Sequence, residues 1–276
     1  MMALTSYRND GLTFEVDDSG GDGEVVVLLH GFPQSRTSWS KLTPHLVQAG
    51  YRVLAPDQRG YSPGARPKRR RDYAIDLLVA DIVALADNAG ARRFHVVGHD
   101  WGGGAAWALA ERHPERLLSM TSLSTPHPRA MVAAMVRSNQ ALKSWYMLAF
   151  QLPWLPEAAI SSKRGGTRVR QALIDAGMAP AEAESRLDML RGGAARGALG
   201  WYRALPFAGK PAGGKIRVPT LYIYSTDDVA LGGKAADLTG SYVSGPYTCE
   251  VLDGVNHWIP DVAADTIAPM ILDHLA

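Results

Sequence analysis

Between residues 24 and 123 the chain alternates between two kinds of segment. Glu24-Val25-Val26-Val27-Leu28-Leu29 is apolar at nearly every position, β-branched at its centre, and stops at His30-Gly31-Phe32-Pro33. A continuous apolar run of that length reads as a strand buried on both faces. Helical spacing follows over roughly Ser38 to Ala49 and is stopped by Gly50. Tyr51 to Ala55 is strand-like again and ends at Pro56-Asp57. From Tyr73 to Ala86, Ile75, Leu78, Val79, Ile82 and Leu85 recur at helical spacing. Phe94-His95-Val96-Val97 runs into Gly98, a small-residue helix covers Gly102 to Arg112, and Leu117 to Leu123 is a further strand. Strands that alternate with helices are joined by crossovers, which leave neighbouring strands parallel. The expected fold class is therefore α/β, a mostly parallel sheet with helices on both faces. The same grammar returns near the end, with strands at Thr220–Tyr224 and about Cys249–Leu252 and a helix over Ala264–Leu275.

From about Arg129 to Gly213 the strand grammar disappears. The segment is rich in Ala, Arg, Met and Trp and is broken by Leu152-Pro153-Trp154-Leu155-Pro156, Arg164-Gly165-Gly166 and Arg191-Gly192-Gly193. It reads as an inserted all-helical cap over 129–213, with a core formed by 1–128 and 214–276. A length of 276 residues suits one large α/β domain carrying an insertion. Charge narrows the partners: 29 basic against 27 acidic residues leaves +2, too near balance to favour nucleic acid or an anionic membrane. The basic run Pro67-Lys68-Arg69-Arg70-Arg71 reads as a solvated loop before a helix. The one cysteine, Cys249, excludes a disulfide framework within the chain and a cysteine-ligated zinc site. Met1 to Phe14 lacks an apolar signal-peptide region, and no apolar stretch reaches about 18 residues. The expectation is a soluble, cytoplasmic protein without a membrane span.

Chemistry concentrates at Gly98-His99-Asp100-Trp101-Gly102, between a strand and a helix. Small residues two positions either side of a central residue let strand and helix approach across a sharp turn. That turn exposes the central side chain and aims the helix N-terminus at it. Here the centre is Asp. A carboxylate is ionised at neutral pH and needs no base to act as a nucleophile. Attack on an acyl carbon would give an anhydride, so esterase and peptidase chemistry are disfavoured. Attack at a saturated carbon would give an alkyl ester on the enzyme.

These residues resemble the epoxide hydrolase/haloalkane dehalogenase branch of the α/β hydrolases, over nearly the whole chain. His30-Gly31-Phe32-Pro33 is similar to that branch's oxyanion-hole motif, which implies that the backbone N–H groups of Phe32 and Trp101 hold the oxyanion during ester hydrolysis. The resemblance implies His257, in Asn256-His257-Trp258, as the base that activates water. Its acid partner lies in Ser225-Thr226-Asp227-Asp228, where the family register points to Asp228 over Asp227. The alternative acid position after Leu123 reads Ser124-Thr125-Pro126-His127, without a carboxylate. The order nucleophile, acid, histidine is the α/β-hydrolase order. His99 is expected to pack beneath the nucleophile. His45, His95, His113, His127 and His274 show no ligand-like spacing.

Epoxide opening leaves an alkoxide that needs a proton donor, whereas a departing halide needs only N–H donors. Trp145-Tyr146-Met147-Leu148 and Trp201-Tyr202-Arg203 resemble the two tyrosine motifs of epoxide-opening relatives, which implies Tyr146 and Tyr202 as donors. Phe32 cannot donate a side-chain N–H, and Trp101 stands where haloacetate relatives carry Arg. Indole N–H groups of Trp145, Trp154 or Trp201 keep a haloalkane or haloacid dehalogenase as the alternative. The implied partner is a small-molecule epoxide, with no metal or organic cofactor. One sequence leaves the oligomeric state open, a homodimer included.

Overall fold

A computed structural model describes residues 3–136, 146–208 and 213–276. Eight strands form one sheet: β1 (Ser6–Asn9), β2 (Leu12–Asp18), β3 (Val25–Leu29), β4 (Arg52–Pro56), β5 (Phe94–His99), β6 (Leu117–Leu123), β7 (Thr220–Asp227) and β8 (Tyr247–Asn256). Their order is β1-β2-β4-β3-β5-β6-β7-β8. β1 and β2 pair antiparallel, as do β2 and β4; every other neighbouring pair is parallel.

The parallel centre follows from the apolar runs. All five residues of β3 are buried, and they divide between two cores. Val25, Val27 and Leu29 face a cluster with α2 (Ile75–Asn88) and α3 (Trp101–Arg112), through Val79, Ile82, Ala105 and Leu109. Val26 and Leu28 face the opposite cluster, with Leu42, Leu46, Ile267 and Ile271. Successive strand residues point to opposite faces, so helices on both sides demand an apolar residue at every position.

Three features depart from or add to the sequence reading. The helical stretch from Ser38 to Ala49 divides into a 3₁₀ turn, Arg36–Trp39, and a helix α1 over Thr43–Gln48. Pro44, in the first turn of α1, lacks an N–H and suits only a helix start. The hairpin of β1 and β2 was not expected from the pattern. Its two-residue turn, Asp10-Gly11, has φ of 47° and 73°, the all-positive geometry that matches strand twist. A helix over Gly233–Thr239 is also added between β7 and β8.

Between β6 and β7 the described residues contain no strand, and their helices run from Pro128–Met135 to Leu205–Phe207. Residues 137–145 and 209–212 lie outside the described residues. The inserted helices pack above the carboxyl ends of the strands, with Leu187, Leu190, Leu199 and Trp201 against Tyr61, Tyr73 and Leu78. Gly60 and Gly197 meet so closely that a Cβ on Gly60 would stand 2.7 Å from the Gly197 carbonyl carbon. Among the described residues, no helix is long and apolar enough to cross a membrane.

The chain leaves β3 toward β4 on one side and returns to β5 on the other. That reversal makes the carboxyl ends of β3 and β5 a topological switch point, the usual ligand position in an open α/β sheet.

Candidate active site

β5 ends at His99 and α3 begins at Trp101, so Asp100 alone makes the turn. Its backbone sits at φ 51°, ψ −122°, a sparsely populated region. The flanking glycines make that conformation possible. A Cβ on Gly98 would lie 2.3 Å from the carbonyl oxygen of Gly102, and one on Gly102 would lie 2.0 Å from that of Leu29. Thr125 donates its hydroxyl to the Asp100 carbonyl at 2.7 Å, which pins the turn from β6's side.

The Asp100 side chain makes no N-cap bond to α3. Instead its Oδ1 accepts the backbone N–H of Phe32 at 2.7 Å, and the nearby N–H of Trp101 also favours the carboxylate form. Phe32 is presented by the loop after β3. There the Nε2 of buried His30 accepts the Gln58 N–H at 3.2 Å, leaving Nδ1–H to donate to the Gly31 carbonyl at 3.0 Å. Gly31 must be glycine: a Cβ there would stand 2.3 Å from the Asp100 Cβ. Pro33 follows, buried, at the far end of the same loop. Burial raises the Asp100 pKa against the opposing pull of His257 and the two N–H groups, which makes the carboxylate more basic than an exposed one.

His257 follows β8 and Asp228 follows β7. Their side chains meet at 2.7 Å, Nδ1 to Oδ2. The other Asp228 oxygen accepts the N–H groups of Ala230 and Leu231 at 2.8 and 2.9 Å. Asp227 is exposed, and Asp228 is the carboxylate that meets His257. Burial alone would raise Asp228, but the His257 charge, its hydrogen bond and the two N–H groups hold it down at about 2. Burial likewise opposes the charged form of His257, yet the Asp228 carboxylate, its hydrogen bond and the Asp100 charge raise it to about 9. The remaining nitrogen, Nε2, faces Asp100 Oδ2 across 3.8 Å, too far for a hydrogen bond.

Above the carboxylate stands an aromatic wall. The Tyr202 ring lies 5.0 Å from Trp101, 5.4 Å from Phe32 and 6.1 Å from Tyr146, all near edge-to-face. Burial raises both phenols, and the Asp100 charge raises them further, so both remain O–H donors across the neutral range. The Tyr202 side chain lowers Tyr146 and the Trp101 side chain lowers Tyr202, each against the larger effect of burial.

The α/β hydrolase fold family matches residues 24–264. AB hydrolase superfamily protein YfhM of Bacillus subtilis is 36% identical, with 97% of this chain and 96% of that protein covered. Epoxide hydrolase A of Mycobacterium tuberculosis is 32% identical over 96% of this chain and 95% of its own length. Epoxide hydrolase A from Mycobacterium thermoresistibile superposes with a TM-score of 0.84 at 28% identity, over 98% of this chain and 97% of that one. The chain belongs to the epoxide hydrolase family of the α/β hydrolases.

Within this family member the indole groups are informative. Trp201 spends its N–H on the Arg59 carbonyl at 2.7 Å. Trp154 is 71% exposed. Trp101 packs edge-on against Tyr202, and Trp145 lies outside the described residues. Sequence reasoning missed other groups in the hydrolase. Buried Gln34 and Asp261 join His99 behind His257, and Arg186, from the helix Pro180–Met189, donates to the hydroxyls of Ser35, Thr37 and Ser38. Gln34 directly follows the His30–Pro33 motif, which is the one signal that could have drawn attention to it.

Proposed function

We propose that this enzyme opens a small-molecule epoxide to a vicinal diol through an alkyl ester on Asp100, with the helices of 129–213 as a cap over a core of 1–128 and 214–276. The observation that carries the reading is the asymmetry of the Asp100 carboxylate. Oδ1 is held by the Phe32 N–H at 2.7 Å, while Oδ2 makes no such bond and faces His257 at 3.8 Å.

The hydroxyls of Tyr146 and Tyr202 donate to the epoxide oxygen. Oδ2 attacks a ring carbon, the C–O bond breaks, and the alkoxide takes a phenolic proton. Esterification removes the Asp100 charge that helps raise His257, so its pKa falls and Nε2 becomes free to accept a proton from water. Water attacks the ester carbon. The charge that develops on Oδ1 is already aimed at the N–H groups of Phe32 and Trp101. Asp228 holds the imidazole in its Nδ1–H tautomer and stabilises the imidazolium that forms. Collapse breaks the Asp100 Cγ–Oδ2 bond; the imidazolium proton passes to Oδ2 as the diol leaves, and the second water proton, shed as Asp100 becomes a carboxylate again, restores the phenol.

Halide release is the second reading, and the occupied indole N–H of Trp201 disfavours it. Styrene oxide and 1-chlorobutane assayed side by side test the choice. Diol formation without halide release is expected; faster halide release would replace the epoxide reading.

A further inference from the structure

Behind the pair of His257 and Asp228 the core holds a second chain of polar groups. His99 is fully buried, and its ring lies 4.8 Å from that of His257. Its Nε2 is 2.8 Å from the backbone carbonyl oxygen of His257. Its Nδ1 is 2.7 Å from the side-chain amide of Gln34, and the other end of that amide is 2.7 Å from an Asp261 carboxyl oxygen. Gln34 is fully buried and Asp261 is 5% exposed.

A proton count constrains these three contacts. A carbonyl only accepts, so Nε2 of His99 carries a hydrogen. If the Gln34 oxygen faces His99, Nδ1 must carry one too, giving an imidazolium beside an Asp261 carboxylate. If the amide is turned over, its N–H donates to a neutral Nδ1 and its oxygen faces Asp261, which must then be a carboxylic acid. Both arrangements hold one proton more than a neutral imidazole and an ionised carboxylate. Without that proton, one contact in the chain sets lone pair against lone pair.

The surroundings decide which arrangement wins. Burial, followed by the charge of His257, lowers His99 to about 3. Burial, followed by the charge of Glu182, raises Asp261 to about 6. Glu182 and Arg186 face Asp261 from the helix Pro180–Met189, with Arg186 opposing the acid form. Lys41 opposes it as well and donates to the Asp261 carbonyl at 2.5 Å. On the other side His99 faces His257, Asp228 and His30. An amide that donates to Asp261 is also a lowering influence; once the amide turns over, that influence is gone and the acid is held more firmly.

We propose that Asp261 is a neutral carboxylic acid that acts through Gln34 and His99 as a positioning group, anchoring the backbone carbonyl of His257. The sign follows from the count. The anchor is intact while Asp261 holds its proton and is lost as pH rises through its titration. The inference rests on His257 acting as the base in the reading above.

The test uses the full chain with ¹⁵N-labelled histidine, as wild type and as Asp261→Asn. An asparagine N–H donates to the Gln34 oxygen at every pH. Wild type is expected to lose about tenfold in kcat on styrene oxide as Asp261 titrates, which is about 1.4 kcal/mol and within the range of one buried hydrogen bond. KM should not move. The Asp261→Asn profile should lack that limb. Profiles of the same shape would overturn the proposal. If Asp261→Asn does not fold, Gln34→Met, which interrupts the chain, must lose the same limb; a retained limb would overturn it. The His99 ring nitrogens give a readout independent of turnover. One protonated and one bare nitrogen at neutral pH is expected, and an imidazolium pattern would overturn the assignment of the proton. If the enzyme opened no epoxide at all, the functional reading would fail, while a ¹³C titration of the Asp261 carboxyl beside this spectrum would still decide where the proton sits: a carboxylic acid at neutral pH is expected, and a carboxylate beside a neutral His99 would overturn the proposal.

Discussion

Gly31 offers the sharpest test of how the nucleophile is placed. A Cβ at this position would stand 2.3 Å from the Asp100 Cβ and 2.4 Å from its Oδ1. Ordinary contact begins near 3.4 Å, so Gly31→Ala must displace the carboxylate by about 1 Å. That shift breaks the 2.7 Å bond from the Phe32 N–H and moves Oδ2 off its line of attack. Removing one oxyanion donor costs about 10²- to 10³-fold, and a displacement of about 1 Å costs about 10²-fold. The two losses share one cause and do not multiply, so kcat/KM should fall by about 10²- to 10³-fold, or about 3–4 kcal/mol. Gly104→Ala is the control. It lies one turn into α3, and a Cβ there meets nothing within 4 Å. It should leave kcat/KM unchanged and stabilise the helix by about 0.5–1 kcal/mol. Rapid-quench measurement of the alkylation step, with circular dichroism to verify folding, gives both values. A folded Gly31→Ala enzyme within threefold of wild type would refute the claim that this glycine makes room for the nucleophile.

Other consequences can be measured with the same enzyme. His257→Gln should stop at the ester, seen as an intact-mass increase equal to the epoxide; no adduct after prolonged incubation would remove His257 from the second step. Tyr202→Phe and Tyr146→Phe should each slow alkylation, by about 10²-fold for a positioned proton donor, and the double variant should abolish it. Alkylation by the double variant at the wild-type rate would mean that the donors lie elsewhere. The raised pKa of His257 contributes stability that is present below about 6.5 and lost as pH rises through about 9. The lowered pKa of Asp228 contributes stability present above about 4 and lost as pH falls toward about 2. Thermal unfolding followed from pH 6.5 to 9 should therefore weaken more in wild type than in His257→Gln, and parallel curves would contradict the pairing.

What could be read from the chain tracks how its information is distributed. β3, β4 and β5 are buried at every position, so their composition announces them. β8 is an edge strand with only one fully buried residue, Leu252, and the apolar pattern marks just its centre, about Cys249 to Leu252. The β1–β2 hairpin sits at the opposite edge, and only its Asp10-Gly11 turn carries a strong local signal. The elbow at Asp100 was legible because its constraint is local: two glycines and one carboxylate within five residues. The choice of Asp228 over Asp227 came from register; in the fold Asp228 is buried against His257 while Asp227 is exposed. Gln34 and Asp261 were not legible as partners. They are 227 positions apart, and nothing in either neighbourhood marks a hydrogen bond between them.

The role assigned to Asp100 reduces to the origin of one oxygen atom. Excess enzyme and a limiting epoxide, mixed in heavy-oxygen water and quenched after a single turnover, separate the alternatives. The account predicts a diol whose new oxygen is light, drawn from Asp100, with the heavy isotope left in the Asp100 peptide. A heavy diol and an unlabelled peptide would mean that water attacks the epoxide directly, and the covalent mechanism would be wrong.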